Sequence, residues 1–266
     1  MNKHTFQAFT DALTASLESD PHALGLIAMG SMANTSRLDA YSDHDFFVVA
    51  EDGWEDHYRQ NFDWLPNHDD IVLAYRETAH GLKVLYKQGH LLEYASFSLQ
   101  ELDHALANDY AVLVDKADIA ERMAQIKIKT EKAVDDRLVN QSDQFHFGQF
   151  ICLLYVGCGR YARGEHISGH VFVKQYALGH LLSLLPRHIT SDNVDKLDNL
   201  DAFRRIEQVF PEIGAEIDTA LLKPVPDCAL ALLALGERLF KDTLVDYPAD
   251  AVVTIREYIE AIQLLA

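Results

Sequence analysis

Cysteine is scarce in this sequence, which has three in 266 residues: Cys152, Cys158 and Cys228. The count is odd and the spacing of the first two does not match a zinc pair, so neither a disulfide framework nor a zinc site is indicated. All three lie in apolar runs with helical periodicity. They are therefore predicted to be reduced thiols in the protein core.

Long hydrophobic runs are also missing. The longest, near residues 150–158, is too short to cross a bilayer. The first residues, Met1-Asn2-Lys3-His4, contain no apolar leader. We therefore expect a soluble, cytoplasmic protein with no membrane partner.

Basic residues are outnumbered, with 23 Lys and Arg against 41 Asp and Glu, and the formal net charge is −18. Binding to a nucleic-acid backbone requires a basic face, so a nucleic-acid partner is not expected. Two interpretations of the acidity remain open: it suits a cationic small molecule, or it only keeps the protein soluble.

Apolar residues, by contrast, make up 48% of the chain, which is enough to bury a sizeable core. Phe6, Phe9, Leu13 and Leu17 have helical spacing. The segments after them predict a small mixed sheet with helices on one side, over residues 1–117. The strands are predicted at 24–29, 45–50, 71–77, 82–87, 90–97 and, at the edge, 111–114.

From residue 118 onward the apolar spacing becomes helical, and prolines fall between the runs. Residues 118–266 are therefore predicted to form an all-α bundle, and the chain as a whole is an α+β protein. The apolar helices could include a dimer surface, so a homodimer is compatible with the sequence. The helices are predicted at 118–139, 142–163, 168–185, 199–209, 212–222, 227–244 and 249–265.

A pair of acids, Asp43 and Asp45, stands at the start of the apolar run 46–49, about a dozen residues after Gly30-Ser31. Residues two apart on a strand point to the same face, roughly 6 to 7 Å apart, so their carboxylates can share divalent cations. Glycine lets the backbone approach an anion, and the Ser31 hydroxyl can donate to phosphate oxygens. The pattern indicates metal-dependent chemistry on a phosphate. A two-turn helix over 32–38 is predicted to point its N-terminus at the same anion.

A third acid, Glu93, is the only charge within the apolar and aromatic run 91–97. A lone charge in such a run is rarely left without a partner. Two interpretations are open: Glu93 joins the acid pair, or it faces the surface and pairs with a lysine such as Lys83 or Lys87. For Asp43 the alternative is an ordinary turn residue before a strand.

The order Gly30-Ser31, Asp43-x-Asp45 and Glu93 resembles the polymerase-β-type nucleotidyltransferase superfamily, and within it the lincosamide and aminoglycoside nucleotidyltransferases. The resemblance implies that residues 1–117 are a nucleotidyltransferase catalytic domain and 118–266 a helical substrate-binding domain. It implies that Asp43 and Asp45 hold two Mg²⁺ ions on ATP, and that Glu93 is a general base or further metal ligand.

The resemblance also implies a reaction: transfer of a nucleoside monophosphate, AMP from ATP, to a hydroxyl of a small molecule such as an antibiotic. Gly30 and Ser31 would hold the triphosphate. Arg37 is a candidate for replacing the Arg-Gly that often follows this turn in the family, since Asn34-Thr35 stand there instead. Lys174, within an apolar run, is a second candidate triphosphate contact.

This chain departs from the family again at His44, where a small apolar residue usually separates the two acids. The departures leave open an alternative function. The chain would then be a degenerate nucleotidyltransferase fold that binds a nucleotide or a protein without catalysis.

Overall fold

The structure is a computed structural model that describes residues 2–198 and 200–265; for residues 133–140 and 265 it describes the backbone alone. The chain divides into two compact units, a sheet unit, Met1–Ala133, and a helical unit, Val134–Ala266. This arrangement confirms the predicted α+β class, with the sheet first and the helices after it.

The sheet unit contains six strands in the order β3-β4-β5-β2-β1-β6. The pair β2 and β5 is parallel and the other neighbours are antiparallel, which makes the sheet mixed as predicted. The strands are β1 (Ala23–Met29), β2 (His44–Ala50), β3 (Ile71–Arg76), β4 (Gly81–Tyr86), β5 (Leu91–Phe97) and β6 (Tyr110–Asp115). The helices of this unit are α1 (Lys3–Ser19), α2 (Gly30–Ala33), α3 (Glu55–Gln60), α4 (Leu99–Leu102) and the first part of α5 (Ile119–Asn140).

Helices cover both faces of the sheet, so the prediction of helices on one side was wrong. Strand residues alternate between faces. On β1, Leu26 belongs to the cluster that includes Leu13 and Leu17 of α1. Its neighbour Ile27 belongs to a second cluster, with Ile119 of α5. Both faces are therefore apolar, and each needs its own cover.

The first turns of α5 belong to the core of the sheet unit, where Ile119, Met123 and Ile126 are buried. The division between the two compact units falls inside α5. The functional boundary at residue 117 stays a prediction. Asp115 begins this helix, because its carboxylate accepts hydrogen bonds from the backbone N–H groups of Ile119 and Ala120 at 2.8 and 3.0 Å. These bonds lower the pKa of Asp115.

The helical unit packs its helices around a core that includes Phe147, Phe150, Leu181 and Leu232. A π-helical segment, Phe172–Ala177, joins two of its helices. The helices are α6 (Asp143–Ala162), α7 (His166–Val171), α8 (Leu178–His188), α9 (Ile206–Val209), α10 (Pro211–Leu221), α11 (Val225–Phe240) and α12 (Ala249–Leu265).

The predicted helix over 199–209 was wrong for most of its length, and residue 199 lies outside the described residues. The Asp198 carboxylate accepts from the backbone N–H of Leu200, and that of Asp201 accepts from the N–H of Phe203. Arg205 has a φ of 66°. Short acidic side chains that bind nearby N–H groups compete with helix formation, and the helix begins only at Ile206.

Two of the three cysteines lie in the protein core, as predicted. Cys158 and Cys228 are buried, and burial raises their thiol pKa values to about 12 and about 11. Cys152 is exposed, because it lies on the outward side of α6 next to the buried Ile151. Among the described residues, no helix is long and apolar enough to cross a membrane.

Candidate functional site

The turn after β1 brings the predicted phosphate-binding residue Gly30 against the predicted metal ligand Asp45. Gly30 has a φ of 52°, and a Cβ built on it would lie 2.9 Å from Asp45 Oδ2. Contacts that close do not occur at real Cβ atoms. Glycine is favoured here for two reasons: the left-handed backbone and the carboxylate that a Cβ would displace. Ser31 follows as the second residue of α2.

The predicted two-turn helix over 32–38 was wrong. The chain forms the four-residue α2 and then a 3₁₀ turn, Thr35–Arg37. Asn34 interrupts the helix, because its side-chain oxygen accepts from the backbone N–H of Ser36 at 3.3 Å and from its hydroxyl at 2.6 Å. Because α2 is so short, its dipole is small. The proposed phosphate contacts are therefore those of the backbone and hydroxyl groups of the Gly30-Ser31 turn.

Arg37 folds back on this turn. One of its terminal nitrogens donates to the Gly30 carbonyl at 2.9 Å and lies 3.0 Å from the Asp109 carboxylate. The guanidinium thus fixes the backbone at Gly30. Its predicted contact with a nucleotide stays a prediction.

Asp43 and Asp45 flank a fully buried histidine. His44 has no exposed surface, whereas both acids are partly exposed. Asp45 lies in β2 next to His44, and Asp43 is the residue just before the strand. That the two carboxylates share the face opposite His44 stays a prediction.

His44 ties the start of β2 to α1. Its Nε2 lies 3.1 Å from Thr10 Oγ1 and 3.3 Å from the Phe6 carbonyl, and its ring stacks on Phe6 with centroids 3.6 Å apart. A carbonyl can only accept, so Nε2 carries the proton and Nδ1 accepts from His90 Nε2 at 2.8 Å. Burial lowers the pKa of His44 to about 3 and that of His90 to about 4, so both are neutral. The residue that departs from the family pattern is thus a neutral anchor behind the acids.

Glu93 lies beside Asp45 in the sheet. The parallel register of β2 and β5 pairs Asp45 with Glu93, and the antiparallel register of β4 and β5 pairs Glu93 with Lys83. Lys83 Nζ lies 2.8 Å from Glu93 Oε1 and 3.2 Å from Glu77 Oε1. Both interpretations of Glu93 therefore find support: it neighbours the acid pair, and it forms an ion pair with Lys83.

The carboxylates fit a hard divalent cation, since oxygen ligands are what Mg²⁺ prefers. No group of three or more His, Cys, Asp or Glu side chains suited to a metal lies together in the described part of the chain. Mg²⁺ is commonly held by one or two carboxylates together with substrate phosphates, so Asp43 and Asp45 are a sufficient protein contribution. The space that a Cβ at Gly30 would fill lies directly in front of Asp45 Oδ2.

A polar cavity of about 510 Å³ lies at the end of α2. Its lining includes Asn34 and Thr35, which follow α2, with Asp109 and with Lys127 of α5. This volume lies within the range of small-ligand pockets.

Lys174 belongs to the helical unit. Its Nζ donates to the carbonyls of Leu221 and Lys223 at 2.6 and 2.8 Å, at the C-terminal end of α10. A cation is favoured there without any bound anion. The physical reason for assigning Lys174 to a triphosphate is thereby weakened, and the contact stays a prediction.

Sequence reasoning proposed the acids and the turn, of which the structure brings Gly30 and Asp45 together, and it missed the Arg37–Gly30 and His44–His90 contacts. The hydrogen-bond partners of His44 lie 34, 38 and 46 positions away in the sequence. No local pattern marks such pairs.

No protein-family model matches this sequence, and no curated protein matches it. Nine chains among the solved structures do. One is an aminoglycoside 6-adenyltransferase from Bacillus subtilis, with a TM-score of 0.38 and 14% identity, covering 97% of this chain and 98% of that chain. Another belongs to a CdnC:HORMA-deltaN complex from E. coli MS115-1, with a TM-score of 0.31 and 15% identity, covering 97% of this chain and 92% of that chain.

An adenyltransferase is thus among the solved structures that this chain matches. At these TM-scores the matches carry no further argument. What the site can do follows from its own residues.

Proposed function

We propose that this protein transfers a nucleoside monophosphate, AMP from ATP, to a hydroxyl group of a small molecule. The observation that carries the proposal is the contact between Gly30 and Asp45, in which the added Cβ would lie 2.9 Å from the carboxylate oxygen. It joins a backbone turn suited to phosphate with an acid suited to a metal. Glu93, in register with Asp45, supplies a base on the same face of the sheet.

Each residue has a part in the proposed reaction. The backbone N–H groups and the hydroxyl of the Gly30-Ser31 turn bind phosphate oxygens, and Arg37 holds that turn in place. Asp43 and Asp45 hold Mg²⁺, which when bound neutralises charge on the triphosphate and polarises the α-phosphorus. Glu93 accepts the proton of the attacking hydroxyl.

In the transfer itself, the acceptor oxygen forms a bond to the α-phosphorus. The bond between that phosphorus and the bridging oxygen breaks, and pyrophosphate leaves with the electron pair. The protein contributes mostly positioning and charge stabilisation.

The acceptor is proposed to be a small cationic molecule, with aminoglycosides and lincosamides as the first candidates. The net charge of −18 favours cations over nucleic acids at the surface. The cavity at the end of α2 is of a size for a small ligand.

A second candidate function is nucleotide binding without catalysis, and one observation favours it. The ion pair between Glu93 and Lys83, at 2.8 Å, engages the residue proposed as the base. A protein of this kind would bind ATP and release no pyrophosphate.

Metal-dependent ATP binding can be measured through thermal stability. A ligand at 100 times its Kd stabilises the folded state by about 2.7 kcal/mol. For a chain of this size that corresponds to a rise in Tm of roughly 5 to 10 °C. We expect this rise with ATP and Mg²⁺, and none with ATP and EDTA.

Asp45→Asn should abolish the rise in Tm, and Asp52→Asn, which removes an exposed carboxylate of the same unit, should preserve it. Equal rises in both variants would contradict the proposed metal site.

A further inference from the structure

Within the described part of the sheet, Lys83 is a basic side chain in strand register with the acids Glu93 and Asp45. Its partner Glu93 lies opposite it across β4 and β5, and Asp45 lies opposite Glu93 across β5 and β2. Side chains directly opposite each other on neighbouring strands lie within contact distance. The row therefore reads Lys83, Glu93, Asp45, with an ammonium at one end and the proposed metal ligand at the other.

Lys83 is shared between two carboxylates. Its Nζ lies 2.8 Å from Glu93 and 3.2 Å from Glu77, the residue that follows β3. Hydrogen bonds raise the pKa of Lys83, the one to Glu93 more than the one to Glu77, so the ammonium stays charged. If Glu93 turns to another cation, Glu77 still provides Lys83 with an acceptor. Lys83 can thus leave Glu93 without losing every partner.

We propose that Lys83 competes with the divalent cation for Glu93 and so sets how tightly the site binds metal. The inference rests on the proposed function, since it takes Asp43 and Asp45 to be metal ligands. In the absence of metal, Lys83 neutralises Glu93. When metal and nucleotide bind at Asp45, Lys83 moves toward Glu77 and frees Glu93 to bind the metal or to accept a proton.

Binding of Mn²⁺ to the full-length protein tests this without any activity. Free Mn²⁺ is followed by electron paramagnetic resonance at low ionic strength, where charge effects are largest. Removing a unit charge a few ångströms from a divalent ion should tighten binding, so Lys83→Met should lower the Kd by about fivefold to tenfold. Glu77→Gln should raise the Kd by about twofold or more, because Lys83 then has Glu93 alone as its partner.

The matched control is Lys87→Met. It removes the same charge from the turn between β4 and β5, where Lys87 pairs with Asp70 at 3.0 Å. Its Kd should stay within about twofold of the wild-type value. Melting curves establish that each variant is folded.

A double-mutant cycle separates competition for Glu93 from a long-range field. In a Glu93→Gln background, Lys83→Met should change the Kd by less than about twofold. An equal gain in both backgrounds, or no gain in either, would overturn the proposal. If Asp45→Asn leaves the Kd of the wild type unchanged, the metal site of the proposed function fails as well. If Asp45→Asn weakens binding and Lys83→Met does not tighten it, only the competition fails.

Discussion

Replacing Gly30 with alanine tests the contact on which the proposed function depends. The new methyl group would be placed on a residue with a φ of 52° and 2.9 Å from Asp45 Oδ2. The left-handed backbone costs an alanine about 1 to 2 kcal/mol. For a chain of this length the Tm should fall by roughly 2 to 8 °C.

The effect on the site should be larger than the effect on stability. An ordinary contact begins at 3.4 Å, so we expect the carboxylate oxygen to move from 2.9 Å toward that distance. A misplacement approaching 1 Å costs a catalytic group about 100-fold. We therefore expect acceptor-dependent release of pyrophosphate to fall roughly 10-fold to 100-fold, and the Tm rise with ATP and Mg²⁺ to shrink.

Gly53→Ala is the matched control for this variant. Gly53 also has a positive φ, of 88°, but a Cβ built on it meets nothing within 4 Å. It should lose a comparable amount of stability and keep its activity and its response to ATP and Mg²⁺. The reasoning would be refuted if the two alanine variants lost similar stability and both kept wild-type nucleotide binding and activity.

The helical unit provides two further predictions. His146 is buried beside Arg187, and burial and this positive charge lower its pKa to about 4. The unfolded chain takes up a proton near pH 6.5, so stability is present above that pH and is lost as the pH falls toward 4. Between pH 7 and pH 5 the free energy of unfolding should drop by about 2 kcal/mol more in the wild type than in His146→Gln, as measured by urea denaturation; equal drops would contradict this. Gly236→Ala should destabilise by about 1 to 3 kcal/mol, because its Cβ would lie 2.7 Å from Phe150 Cε1 in the core. Gly148→Ala, also in a helix but with nothing within 4 Å, should instead stabilise by about 0.5 to 1 kcal/mol, and a stability gain in both variants would show that the core at Gly236 is not tightly packed.

The strands of the sheet unit were predictable because each is an apolar or alternating run that ends at a turn residue. The acid pair could be singled out for a related reason, since Asp43 and Asp45 precede such a run; their shared face stays a prediction from strand geometry. The register that places Glu93 beside Asp45 could not be predicted. It depends on β5 lying parallel to β2, and 40 residues of chain separate the last residue of β2 from the first of β5.

Other features required the folded chain. The Lys83–Glu93 pair was one of two interpretations of Glu93, and only the register of β4 and β5 brings the two charges together. The short α2 results from the Asn34 side chain, which binds the backbone beyond it and stops the helix. The second layer of helices follows from both faces of the sheet being apolar.

The most direct measurement of the central claim is pyrophosphate release from ATP and Mg²⁺ with a panel of hydroxylated small molecules that includes aminoglycosides and lincosamides. The wild type and Asp52→Asn should release pyrophosphate only when an acceptor is present. Asp43→Asn and Asp45→Asn should each lower that rate by at least about 100-fold. Full acceptor-dependent release in either of the last two variants would contradict the account.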